Sequence, residues 1–182
     1  MSFAIELYFD PATETAIRQI WQMLAEAGLP ATLLEANYVP HISLAVSSQV
    51  ELAGLDQALA RLAAKTSPLA FSLANIGIFP TTEAVVFLGV TVNQALLALH
   101  TEFYQQASPY LSQPLIYYKP DNWIPHCTLS YGLNLRTQMN SVLQVCLEKL
   151  HVPLQGQLTH IGLSKVTPVS YQSILKYEFT TC

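Results

Sequence analysis

The strongest constraint on this chain is that it repeats itself. Asn37-Tyr38-Val39-Pro40-His41-Ile42-Ser43-Leu44 returns 85 positions later as Asn122-Trp123-Ile124-Pro125-His126-Cys127-Thr128-Leu129. The same offset lays Pro68-Leu69 over Pro153-Leu154, Leu73 over Leu158, and Ile76-Gly77-Ile78 over Ile161-Gly162-Leu163. A helical pattern over Glu51 to Ala64 is likewise answered by one over Arg136 to Leu150. Distant blocks that keep one register mark a duplicated unit. What one copy presents to a shared centre, the other presents as well.

Each half reads strand, helix, Pro-His strand, helix, strand. Phe3, Ile5, Leu7 and Phe9 alternate with Ala4, Glu6 and Tyr8, the pattern of a half-buried strand. Asp10-Pro11 predicts a helix cap with proline in the first turn, and Ile17, Ile20, Trp21 and Leu24 mark an apolar stripe ending at Gly28. The second half answers with a strand over Val85 to Val92 and a helix from about Gln94 to Gln106 opened by Asn93, an offset of 83 for this first pair. Val169 to Phe179 reads as a further strand, and Ser108 to Asp121, with three prolines, as a long irregular segment.

At 182 residues, 51% apolar and 11% charged, the chain suits one folded domain, residues 1–182, made of two intertwined repeat lobes. The expected class is α+β, a bilobal pseudo-two-fold duplicated fold with two antiparallel sheets facing a central groove and helices outside.

In a strand, residues two apart share a face about 6.6 Å apart, so His41 pairs with Ser43 and His126 with Thr128. Ile42, Leu44, Cys127 and Leu129 then face the core. An approximate two-fold axis would turn the two His-x-hydroxyl faces toward each other. Displacement at phosphorus needs a base for the attacking oxygen, an acid for the leaving oxygen and donors for the others. Two imidazoles, one neutral and one protonated near neutral pH, and two hydroxyls supply all three.

The paired Pro-His-Ile-Ser-Leu and Pro-His-Cys-Thr-Leu motifs, their separation and the bilobal repeat resemble the 2H phosphoesterases, which include bacterial 2′-5′ RNA ligase-like proteins and cyclic nucleotide phosphodiesterases. The resemblance covers essentially the whole chain. It implies metal-independent hydrolysis or transfer at 2′,3′-cyclic phosphates, 2′-5′ linkages or related small nucleotide and RNA-end esters. His41 and His126 would be the catalytic pair, and Ser43 and Thr128 the phosphate-binding hydroxyls. A tail of Pro168, Tyr171 and Leu175 resembles the family's ending and makes Tyr171 a substrate contact. Two readings stand beside the hydrolase: a non-catalytic nucleotide-binding or sensing module, and a 2′-5′ RNA ligase-type end-joining enzyme.

Charge narrows the partner. Eight basic against twelve acidic residues give −4, and the basic ones are scattered, so no footprint for long nucleic acid exists. A small nucleotide or short RNA end is the expected substrate. Tyr38 and Trp123 flank the motifs where many RNA-working relatives carry basic residues, which favours the same conclusion. Lys119, in a Tyr-rich irregular segment, is a second candidate substrate contact. The oligomeric state is not inferred.

No cofactor and no metal are expected, since two histidines and hydroxyls lack the carboxylates a catalytic metal wants, and Asp121 is matched by Ala36 in the first half. Cys127, Cys146 and Cys182 form no C-x-x-C pair, and a reducing cytoplasm is the expected setting. The opening residues lack a signal-peptide pattern, and Ala84 to Thr101 reads as strand then helix, so no membrane association is expected. His160, whose repeat mate is Asn75, is as readily structural as catalytic; His100 and His151 suit surface roles. Strand parity places Glu6 and Tyr8 toward the groove, opposite Phe87 and Thr91, where aromatics could stack a base.

Overall fold

Alternating apolar residues build β1 (Ser2–Phe9), and the Asp10 carboxylate caps α1 (Pro11–Glu26) by accepting from the Thr13 N–H at 3.0 Å. In the computed structural model there follow α2 (Thr32–Glu35), β2 (His41–Ser47), β3 (Gln49–Val50), α3 (Leu52–Ala63), β4 (Leu69–Phe79), β5 (Val85–Val90) and α4 (Gln94–Ala107). The chain ends with β6 (Leu111–Ser112), β7 (His126–Tyr131), α5 (Gln138–Lys149), β8 (Leu154–Thr167) and β9 (Ser170–Glu178). The structure describes residues 1–182 apart from 83, 133–136, 151, 168 and 181–182, with Lys149 described by its backbone alone. Arg136, His151, Pro168 and Cys182 therefore lie outside the described residues.

The two expected sheets are the wings of one hydrogen-bonded antiparallel sheet, ordered β2-β1-β8-β4-β5-β7, with β9 adding to β8. The order reads the same from either end, because β2 matches β7, β1 matches β5 and β4 matches β8. Where the wings join, Leu69 pairs with Leu158, Phe71 with Gly156 and Leu73 with Leu154. Phe71 and Gly156 are themselves repeat mates, so the pseudo-two-fold axis passes through that rung. Each wing borrows its inner strand from the other half of the sequence. The helices cross over as well: α1 packs on α5, and α3 on α4.

Sheet register corrects one alignment. Glu6 pairs with Ser43, and Phe87 with Thr128, in each case beside the same bulge, which skips Leu44 in one wing and Leu129 in the other. β1 and β5 are therefore offset by 81, while the helix caps Asp10 and Asn93 keep the offset of 83. The two extra residues are Thr91 and Val92, so exposed Thr91 is a connection and does not face the groove. Glu6, expected opposite Phe87, is its structural mate.

The core lies between the sheet and the helices. Ile5, Leu7, Ile42, Leu44, Val86, Leu88, Cys127 and Leu129 are all at most 2% exposed and face it, as their parity requires. The irregular segment after α4 is held by short pieces of structure: a 3₁₀ turn at Ser108–Tyr110, the pairing of β6 with β3, and a 3₁₀ turn at Ile116–Tyr118. Among the described residues no helix is long and apolar enough to cross a membrane.

Candidate active site

The Pro-His strands start at the groove. Pro40 and Pro125 end the irregular segments before the strands, and the histidine opens the strand in each copy. Each ring is fixed by the same bond: His41 Nδ1 lies 2.7 Å from the Val39 carbonyl, and His126 Nδ1 lies 2.7 Å from the Ile124 carbonyl. A carbonyl only accepts, so each Nδ1 carries a hydrogen and each Nε2 is left for the groove. Ser43 and Thr128 line that groove with both histidines, in a cavity of about 530 Å³.

Behind each hydroxyl residue an indole holds the backbone. Trp123 Nε1 donates to the Ser43 carbonyl at 2.9 Å, and Trp21 Nε1 donates to the Thr128 carbonyl at 3.2 Å. The tryptophans are not repeat mates; one comes from the segment before β7 and one from α1. His100 stacks on Trp123, ring centres 3.9 Å apart and nearly parallel, with Nε2 3.0 Å from the Tyr118 carbonyl. It is buried, which corrects the surface role expected from its place on a helix, and burial lowers its pKa. This brace sets Tyr118 on the groove wall, which it lines together with Ser43.

The two histidines have unlike surroundings. His126 sits against Phe79 and Phe87, ring centres 4.9 and 5.0 Å away. Burial, with the charge of His41, lowers its pKa, while the Ile124 carbonyl opposes that shift. His41 instead has Nε2 3.3 Å from Oε1 of Glu6, a side chain with no exposure. Oε2 of Glu6 accepts from the hydroxyls of Tyr8 at 2.9 Å and Tyr171 at 2.8 Å, and Ser164 donates to Tyr171 at 2.8 Å. Burial and the Glu6 carboxylate both raise the phenols of Tyr8 and Tyr171, so they remain donors.

The sequence of residues 48–167 matches the family model described as the 2′-5′ RNA ligase superfamily. The chain belongs to the 2′-5′ RNA ligase superfamily. The matched span contains the second Pro-His strand; the first lies before it, and its place at the groove comes from the fold. No curated protein matches the chain in sequence. Among solved structures, Escherichia coli LigT complexed with 3′-AMP is 19% identical, with 98% of each chain covered and a TM-score of 0.63. LigT complexed with NADP+ is 20% identical, with the same coverage and TM-score. The Thermus thermophilus protein TT0787 is 15% identical over 98% of each chain, with a TM-score of 0.62. These likenesses show the α+β fold.

In this superfamily member the expected contacts fall differently. Tyr171 lies behind His41, its hydroxyl bonded to Glu6 and Ser164, and does not line the groove. Lys119 is exposed at the end of the 3₁₀ turn, and the lining there comes from Tyr117 and Tyr118. Tyr8 is buried beneath the site, its hydroxyl on Glu6, so no face is left for a base. His160 bonds Thr159 and does not line the groove. The Cys127 thiol is on the core side and pushed up to about 12 by burial, which removes it as a nucleophile. Among the described residues no three His, Cys, Asp or Glu side chains converge as a metal site.

Sequence reasoning missed the aromatic wall of Phe79, Tyr118 and Tyr131 and the contact of Glu6 with His41. A lone carboxylate on the inner face of an otherwise apolar strand was its one visible signal. Phe87 lies over Gly77, its cross-strand partner, and a Cβ there would come 2.3 Å from the ring. Gly77→Ala is expected to cost about 1–3 kcal/mol, as overpacking does. Urea denaturation reads this directly, and an unchanged midpoint would mean that the ring beside His126 yields freely.

Proposed function

We propose that the protein is a phosphoesterase acting on nucleoside 2′,3′-cyclic phosphates, 2′-5′ phosphodiesters or related small nucleotide and RNA-end esters by two-histidine acid–base catalysis. The observation that carries this reading is the pair of His-hydroxyl strands, His41 with Ser43 and His126 with Thr128, lining one groove. One imidazole Nε2 takes the proton from an attacking water or hydroxyl as its oxygen bonds phosphorus. The bond from phosphorus to the leaving ribose oxygen breaks, and the other Nε2 gives that oxygen its proton. The hydroxyls of Ser43 and Thr128 donate to the remaining phosphoryl oxygens as charge builds there.

The walls support a nucleotide-sized ligand. Tyr38, Phe79, Tyr117 and Tyr131 offer rings on which a base can stack, and no Lys or Arg among the described residues lines the cavity. The complexes of LigT with 3′-AMP and NADP+ agree with that size. The test is turnover of nucleoside 2′,3′-cyclic phosphates and 2′-5′ dinucleotides in chelator, with products identified. Binding without product would select the sensing module instead.

The pH dependence of kcat/KM should be bell-shaped, because one ring must be bare and the other protonated in the free enzyme. A monotonic profile from about pH 5 to 9 would remove the paired roles.

A further inference from the structure

Duplication made the two histidines alike, and one substitution between the halves makes them different. In matching register the residue beneath the first Pro-His strand is Glu6, and the residue beneath the second is Phe87. Glu6 is fully buried, and the group within ion-pair distance of it among the described residues is His41. Its Oε2 is satisfied by two tyrosine hydroxyls, whereas Oε1 has no hydrogen-bond donor in line with it. A buried carboxylate requires a compensating charge. The His41 ring can supply it only by carrying hydrogen on both nitrogens, Nδ1 being already committed to the Val39 carbonyl.

We infer that Glu6 is a positioning residue that keeps a proton on Nε2 of His41, making His41 the general acid and His126 the general base. This rests on the two-histidine reading above. The contact of 3.3 Å is an ion pair without a linear hydrogen bond, so Glu6 stabilises the charge without capturing the proton, and Nε2–H is free to serve a groove oxygen. The other groups facing the His41 ring are uncharged or distant. Tyr38 and Tyr171 lie 6.4 and 6.3 Å away by ring centres, and Tyr8 is its cross-strand neighbour. Lys176 lies over the Tyr8 ring at 4.9 Å and makes no ion pair with Glu6. His126 faces it across the groove, where the Phe79 and Phe87 rings and the lowered pKa favour the bare Nε2 that a base needs.

In the resulting step His126 Nε2 takes the proton of the attacking oxygen while that oxygen bonds phosphorus. The bond to the leaving ribose oxygen breaks with its electron pair, and the His41 Nε2 proton passes to that oxygen. Exchange with solvent returns the proton from His126 and reloads His41.

The experiment compares kcat/KM against pH for the parent and Glu6→Gln on a nucleoside 2′,3′-cyclic phosphate. Gln keeps the shape and removes the charge, so the alkaline limb, set by loss of the acid's proton, should move to lower pH, as loss of one close opposite charge requires. The acid limb should stay. Movement of the acid limb alone would make His41 the base, and two unmoved limbs would mean that Glu6 holds its own proton; either overturns the inference, and a merely structural Glu6 would lower rates without moving a limb. The ¹⁵N spectrum of the parent at about pH 7, assigned by comparison with His126→Asn, needs neither turnover nor the Glu6 variant. It should show His41 protonated at both ring nitrogens and His126 bare at Nε2. A bare His41 Nε2 would overturn the inference, whereas absence of turnover with that pattern intact would defeat only the proposed reaction.

Discussion

Replacing either His41 or His126 by alanine should lower kcat/KM on the cyclic phosphate by about 10²–10⁴, the worth of a positioned acid or base. Groups that act on one transition state are not additive, so the double variant should fall little below the worse single one. The hydroxyls of Ser43 and Thr128 and the aromatic walls would remain, and nucleotide binding, read by calorimetry, should survive in all three. Turnover persisting at the parental rate in the double variant would end the two-histidine account. Loss of binding together with rate would point to a collapsed groove.

The second large effect is on stability. Trp21 is 3% exposed on the buried stripe of α1 and reaches across to the Thr128 carbonyl. Trp21→Ala should cost about 3–5 kcal/mol, the usual range for deleting a buried aromatic ring, a large share of a total near roughly 5–15 kcal/mol. Trp21→Phe keeps most of the packing but orphans the carbonyl, at about 1–3 kcal/mol. Urea denaturation orders the three proteins; an alanine variant within about 1 kcal/mol of the parent would show that α1 is not anchored through this ring.

Much of this is legible in the chain. The parity of Ile42 and Leu44 against His41 and Ser43 follows from the two-residue period of a strand, and Asp10 and Asn93 cap helices through side chains that accept from residues three positions on. The groove-facing tetrad emerges from those local rules plus the repeat. What stays hidden depends on contacts between remote segments. His100 looks like a helix surface residue until Trp123 is placed upon it. Lys119 looks like a phosphate contact until the brace from His100 gives that wall to Tyr118. The carboxylate of Glu6 meets Tyr171, 165 residues away, through a hydrogen bond no spacing announces. The true offset of β1 and β5 is hidden because a two-residue difference in a connection leaves no periodic trace.

The sheet order bears on how the molecule is made. β1 lies between β2, a near neighbour in sequence, and β8, which pairs Ser2 with Val166. That second edge cannot close until almost the whole chain has emerged from the ribosome, and the loop-closure entropy of such remote pairings slows folding. Glu6 and His41 can come together early. Their two tyrosine supports cannot both be in place until β9 docks, so the His41 side of the groove is finished only after β8 and β9 have been made.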